Sequence, residues 1–138
     1  MSSLAMEMTK AYFDTKGLRY TEAEKRDVLY IKFNGMDHCP GIEIIVYFDD
    51  DDETVAIRAF EVVKVPDDKK KEILRACNEL NAQYRWAKFY LEDDMFVAVA
   101  DDAIIDAAAC GEEIHELVLR IMNIVDEGYP TLMKAIYA

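Results

Sequence analysis

Apolar positions along this chain follow two different periods, and the points where the period changes mark its predicted elements. From residue 2 to 16, Ala5, Met8, Ala11 and Tyr12 recur at helical spacing, and Gly17 follows as a stop that tolerates left-handed backbone. Residues 18–20 read as a brief extended piece before the polar stretch TEAEKRD. Period two then takes over. Residues 28–34 place Leu29, Ile31 and Phe33 on one face and end at the turn pair Asn34-Gly35, and residues 42–48 alternate Ile42, Ile44, Val46 and Phe48 with Glu43, Ile45 and Tyr47. Residues 54–65 continue as strand but change phase around Phe60 and Val62, which predicts a bulge. Connections this short favour three antiparallel strands.

Pro66 closes the third strand, and Asp67-Asp68 places carboxylates where a helix start favours them, so a second helix is predicted over about 67–84. Ile73, Cys77, Leu80 and Tyr84 form its buried stripe, while Leu74, Asn78 and Asn81 run along the edge. Asparagine is a poor helix former, so Asn78 and Asn81 read as a clamp that hydrogen-bonds a neighbouring strand or loop. Residues 86–91 and 95–100 read as a hairpin joined by Glu92-Asp93-Asp94, followed by a loop over 101–111. A third helix is predicted over about 112–127, broken by Gly128-Tyr129-Pro130 before a short last helix through Leu132, Met133 and Ile136. The apolar residues of the third helix sweep roughly 220° of its circumference, twice the stripe of an ordinary surface helix. The surplus belongs either under the last helix or in a two-fold subunit interface through Leu119, Met122 and Ile124.

The second faces of the strands carry Tyr30, Ile45, Tyr47, Trp86 and Tyr90, larger and more apolar than a water-facing side requires. They read either as a face covered by a dimer partner or terminal helix, or as an open groove for a peptide.

Composition narrows the partners. The 138 residues carry a net charge of −12, with 52% apolar and 32% charged residues, a mixture that supports one folded domain over 1–138. Acidity is strongest at the C-terminal end, where residues 101–138 hold 8 acidic and 2 basic side chains. Such a field repels phosphate backbones, so neither nucleic acid nor an anionic membrane is an expected partner, whereas basic protein segments are attracted. Cys39, Cys77 and Cys110 are odd in number and widely spaced, which fits small core thiols in a reducing cytoplasm. The N-terminal MSSLAMEMTK has no leader pattern, and no apolar run is long enough to span a bilayer.

Chemistry-bearing motifs are weak. Asp49 to Asp52 with Glu53 concentrate hard oxygen ligands but lack the glycine and distal glutamate of an EF-hand, so they read as a solvated hairpin loop. His38, Cys39, Cys110 and His115 have neither finger spacing nor a nucleophile signature, and no cofactor is expected. No hydrolase, zincin, P-loop or dinucleotide fingerprint occurs, so a non-enzymatic protein is expected.

Val65-Pro66, Asn78-Glu79-Leu80-Asn81, Ala87-Lys88-Phe89-Tyr90-Leu91 with the acidic residues after it, and Asp126 with Tyr129-Pro130 stand in the order helix, three strands, helix, two strands, helix. Together they resemble the YbjN family, which shares the fold of type III secretion chaperones, and the similarity spans nearly the whole chain. The resemblance implies an α+β fold with a curved antiparallel sheet, often dimeric and without catalytic activity. The expected function is a chaperone-like or regulatory protein-binding domain; the alternative is a structural or stress-linked homodimer with no peptide client, and a metal-binding or enzymatic protein comes third.

Overall fold

The computed structural model describes residues 3–137; Ser2, where the first predicted helix begins, lies outside them. Helix α1 (Leu4–Lys16) is capped by Ser3, whose hydroxyl accepts the Met6 N–H at 3.2 Å, and it ends at Gly17 with φ of 69°. The acidic hairpin loop reaches the same end of the helix, where Asp52 Oδ1 accepts the Ala5 N–H at 2.9 Å. An anionic oxygen there satisfies an orphan donor and complements the helix dipole. The loop is therefore more than a solvated connection.

Six antiparallel strands follow in the spatial order β1-β2-β3-β4-β6-β5. They are β1 (Thr21–Glu22), β2 (Val28–Asn34), β3 (Gly41–Phe48), β4 (Thr54–Lys64), β5 (Lys88–Leu91) and β6 (Phe96–Ile104), with α2 (Lys70–Gln83) between β4 and β5 and α3 (Cys110–Tyr137) at the end. The brief extended piece expected at 18–20 forms instead at Thr21 and Glu22, which pair with Tyr30 and Leu29. The predicted bulge is present, with the β4–β6 register shifting between Ala59 and Val63. Strand β6 runs on to Ile104 through residues expected to be loop, because the long β4 offers it partners as far as Thr54.

Residues opposite one another in a ladder share a face. Leu29, Val46, Ile57 and Asp101 line up on one face, and Tyr30, Ile45, Arg58 and Ala100 on the other. The first face, with Ile31, Ile44, Val99 and Phe89, joins the helices in one core.

Two expectations for the C-terminal third are corrected. Helix α3 is continuous through Gly128-Tyr129-Pro130. Proline inside a helix costs about 3 kcal/mol, but the extra turns bury Leu132 and Ile136, at about 1.5–3 kcal/mol each, so packing outweighs the local preference. Gly128 is a site of close approach and no stop: a Cβ there would lie 3.1 Å from Phe89 Cζ. Much of the wide apolar arc is also covered within one chain. Near its start, α3 packs on α1, with the His115 ring edge-on to Tyr12 at 5.4 Å and Cys110 Sγ 3.5 Å from Ala5 O. Farther along it packs on α2, with Tyr84 OH donating to Glu127 Oε2 at 3.2 Å. Ile124, expected at a dimer face, is only 8% exposed and belongs to this core, leaving Leu119 and Met122 half-buried.

Candidate protein-binding face

The helix-free face of the sheet collects four of the five aromatic and aliphatic residues expected on it. Tyr30 and Ile45 sit directly opposite one another on β2 and β3, Tyr47 is the next outward residue of β3, and Tyr90 lies opposite Ala98 at the β5 edge. All four are half-buried. Between the two groups β4 and β6 contribute Ala56, Ala98 and Ala100, so the face is a trough with a small-residue floor and tyrosine walls. From β3 to β5 is three strand spacings, roughly 14 Å. Arg58 lies across the floor, its Nη1 donating to Asp102 Oδ1 at 2.8 Å, to Ile57 O at 2.9 Å and to Asp101 O at 3.2 Å.

Trp86 is the exception. It precedes β5 in a left-handed conformation, φ 72°, and its ring stands 5.8 Å from the Arg120 guanidinium of α3. That contact puts it beside the helical layer, where it is 48% exposed. The alternation of the strand predicted over 86–91 does not reach back to it.

The expected asparagine clamp is made by Asn81, while Asn78 is exposed. Asn81 Oδ1 accepts the Phe89 N–H at 2.7 Å and its Nδ2 donates to Phe89 O at 3.0 Å. The carboxamide thus stands in for a peptide group beside edge strand β5 and occupies ladder positions that a stray strand would otherwise take. Asp126 holds a second junction. Its Oδ1 accepts the N–H groups of His38 and Cys39, both at 2.8 Å, and these backbone donors hold its carboxyl below the usual range.

The candidate metal and nucleophile residues are not brought together. Cys39 lies by Gly41 and Asp126, whereas Cys110 lies against Ala5 and Thr9 of α1. All three thiols are buried, and burial pushes Cys77 up to about 11, which leaves it protonated and unreactive at neutral pH.

Asp101 is a polar intrusion into the helix-covered face. Its Oδ2 is buried with no hydrogen-bond partner among the described residues, and burial, reinforced by Asp102, raises its pKa to about 6. A carboxyl that binds its proton more tightly when folded leaves stability intact below about pH 4 and erodes it as pH rises through 6. Asp101→Asn is expected to match the parent protein in urea unfolding at pH 4. At pH 7 it should be more stable by about 1 kcal/mol, a figure reduced from the full pKa displacement because the residue is only partly buried. An equal difference at both pH values would show that ionisation of Asp101 is not the cause.

Sequence reading missed the floor and its arginine. Ala98 and Ala100 alternate with the larger Val97 and Val99, a small-against-large pattern that marks the two faces of β6, but only the register, with Ala56 opposite Asp102 and Arg58 opposite Ala100, puts Ala56 on the same floor.

Among the described residues no helix is long and apolar enough to cross a membrane. No curated protein matches this chain. Its fold is similar to the crystal structure of YbjN, a putative transcription regulator from E. coli, with a TM-score of 0.63 at 14% identity over 91% of each chain. It is also similar to a chain of the heterodimeric complex ExoU-SpcU from the type III secretion system of Pseudomonas aeruginosa, with a TM-score of 0.54 at 11% identity over 91% of this chain and 95% of that one. The model of the YbjN family, "putative bacterial sensory transduction regulator", matches residues 7–133, and the chain belongs to the YbjN family.

Proposed function

We propose that this chain is a non-enzymatic protein-binding domain, chaperone-like or regulatory, that takes a protein partner on the helix-free face of its sheet. The observation that carries the reading is the trough itself: Tyr30, Ile45, Tyr47 and Tyr90 stand around an alanine floor on the side away from all three helices. Tyrosines are favoured at interfaces because they bury area while keeping a polar handle. The likeness to a chain of a heterodimeric secretion complex supports a protein partner, and the family description supports a regulatory setting. The buried thiols suit the cytoplasm. A homodimer through α3 would have only Leu119 and Met122 of its three expected residues to offer.

A photo-crosslinking amino acid at position 47, compared with one at exposed Glu116 on α3, tests the reading in cells. A different protein captured at 47, not at 116, and lost in the Tyr30→Ala, Ile45→Ala double variant is the expected result. Capture only of a second copy of the chain would favour the self-associating alternative. Capture at 116 alone would overturn the proposal.

A further inference from the structure

The sheet is not continuous between its two central strands. The β3–β4 ladder covers only Ile45–Phe48 against Val55–Arg58, although β3 begins at Gly41 and β4 continues to Lys64. Beyond Arg58 the bulge intervenes, with Glu61 in left-handed backbone at φ 56°, and β4 pairs onward with β6 alone. Residues 41–44 of β3 therefore have β2 on one side and, among the described residues, no ladder partner on the other. Beside the gap lies a slot of about 580 Å³, lined on β3 by Gly41 to Glu43 and Ile45, on β4 by Phe60 and Glu61, and on β2 by Lys32 and Asn34, with Pro40 at its end. Phe60 is 40% exposed over it.

Backbone groups along a strand edge are a template for another strand. Here the template is flanked by apolar Ile45 and Phe60, by two carboxylates, Glu43 and Glu61, and by one ammonium, Lys32, so the local balance is acidic by one charge. Glu43 is only loosely engaged by Lys32 at 4.0 Å across an exposed pair. A chain with net charge −12 adds a long-range field of the same sign.

We infer that the slot takes an extended segment of the partner protein, alternating apolar and basic residues, which adds to β3 along residues 41–44. Main-chain hydrogen bonds to β3 supply the pairing, apolar side chains rest on Ile45 and Phe60, and a lysine or arginine meets Glu43 and Glu61. This rests on the sheet-face reading and narrows it to one segment and one chemistry.

The probe is a capped eight-residue peptide of alternating valine and lysine, titrated into the full chain to millimolar concentration and followed by amide NMR. Saturable shifts at residues 41–45 and 60–62, with slowed hydrogen exchange at 41–44, are expected. N-methylation of alternate peptide amides, which removes ladder donors, should weaken binding at least tenfold. Phe60→Ala, a change at an exposed position, and Glu61→Gln should each weaken it several-fold. Shifts confined to the acidic loop at 49–53, undiminished binding of the N-methylated peptide, or no shift at the slot would each overturn the inference. Shifts at Tyr30, Tyr47 and Tyr90 without the slot would overturn it while leaving the sheet-face reading standing.

Discussion

Alanine in place of Asn81 is expected to lower the free energy of unfolding by about 2–3 kcal/mol, and alanine in place of Asn78 to change it by less than about 0.5 kcal/mol. The difference follows from what each amide touches. Asn81 makes both bonds that an adjacent peptide group would make to Phe89, so its loss removes two hydrogen bonds and leaves an N–H and a carbonyl of the edge strand unanswered. Each bond contributes roughly 0.5–1.5 kcal/mol, and an unmet, partly buried group adds to the loss. Asn78 lies exposed on the same helix and has nothing comparable to lose. Asn81→Asp is a sharper variant, since it keeps the acceptor for the Phe89 N–H but turns an oxygen toward the Phe89 carbonyl. Urea unfolding of the three variants measures the effect. Equal losses at 78 and 81 would sink the assignment of the clamp to Asn81.

Gly111→Ala is expected to destabilise the fold by about 2 kcal/mol, whereas Gly128→Ala should be close to neutral. Both glycines lie in α3 and both are buried; helix propensity favours alanine by about 1 kcal/mol at the interior position 128 and by less at 111, the second residue of the helix. The neighbours decide the sign. A Cβ at 111 would sit 2.6 Å from Tyr12 Cβ and 3.0 Å from the Met8 carbonyl oxygen, atoms tied to the backbone of α1. Helix α1 would have to move away from α3, at an overpacking cost of about 3 kcal/mol. At 128 the nearest atoms are Phe89 Cζ at 3.1 Å and the Leu80 methyls at 3.4 Å, the outer ends of side chains that can shift. Thermal unfolding of the pair reads the difference, and a Gly111→Ala protein no less stable than Gly128→Ala would show that the two helices approach less closely at that point.

What the open sheet face implies differs from what these packing variants test. Tyr30 and Ile45 are half-buried and stand outside the core shared by the sheet and helices, so their replacement is expected to affect partner capture more than stability. The slot proposed along residues 41–44 adds a condition on the proposed partner, since backbone pairing there would require an extended segment with free amides.

By itself, the sequence determined the fold class, the order of the main elements, the bulge in β4 and the sheet face of Tyr30, Ile45, Tyr47 and Tyr90. Those features rest on periodicity and turn chemistry, which act between residues close in the chain. Tertiary structure alone decided that α3 runs through Pro130, that β6 extends to Ile104, that Trp86 stands by Arg120, and that Ile124 is core. It also decided that Asn81 and not Asn78 closes the β5 edge, and that β3 and β4 part company beyond Ile45 and Arg58. In each of these cases except Asn81, whose partner Phe89 lies eight residues on, a partner far away in the chain supplies or withholds the deciding interaction. Burial of Leu132 and Ile136 outweighs a proline, a long neighbour extends a strand, and, although a local phase change marks the bulge itself, only the register decides which ladder it breaks.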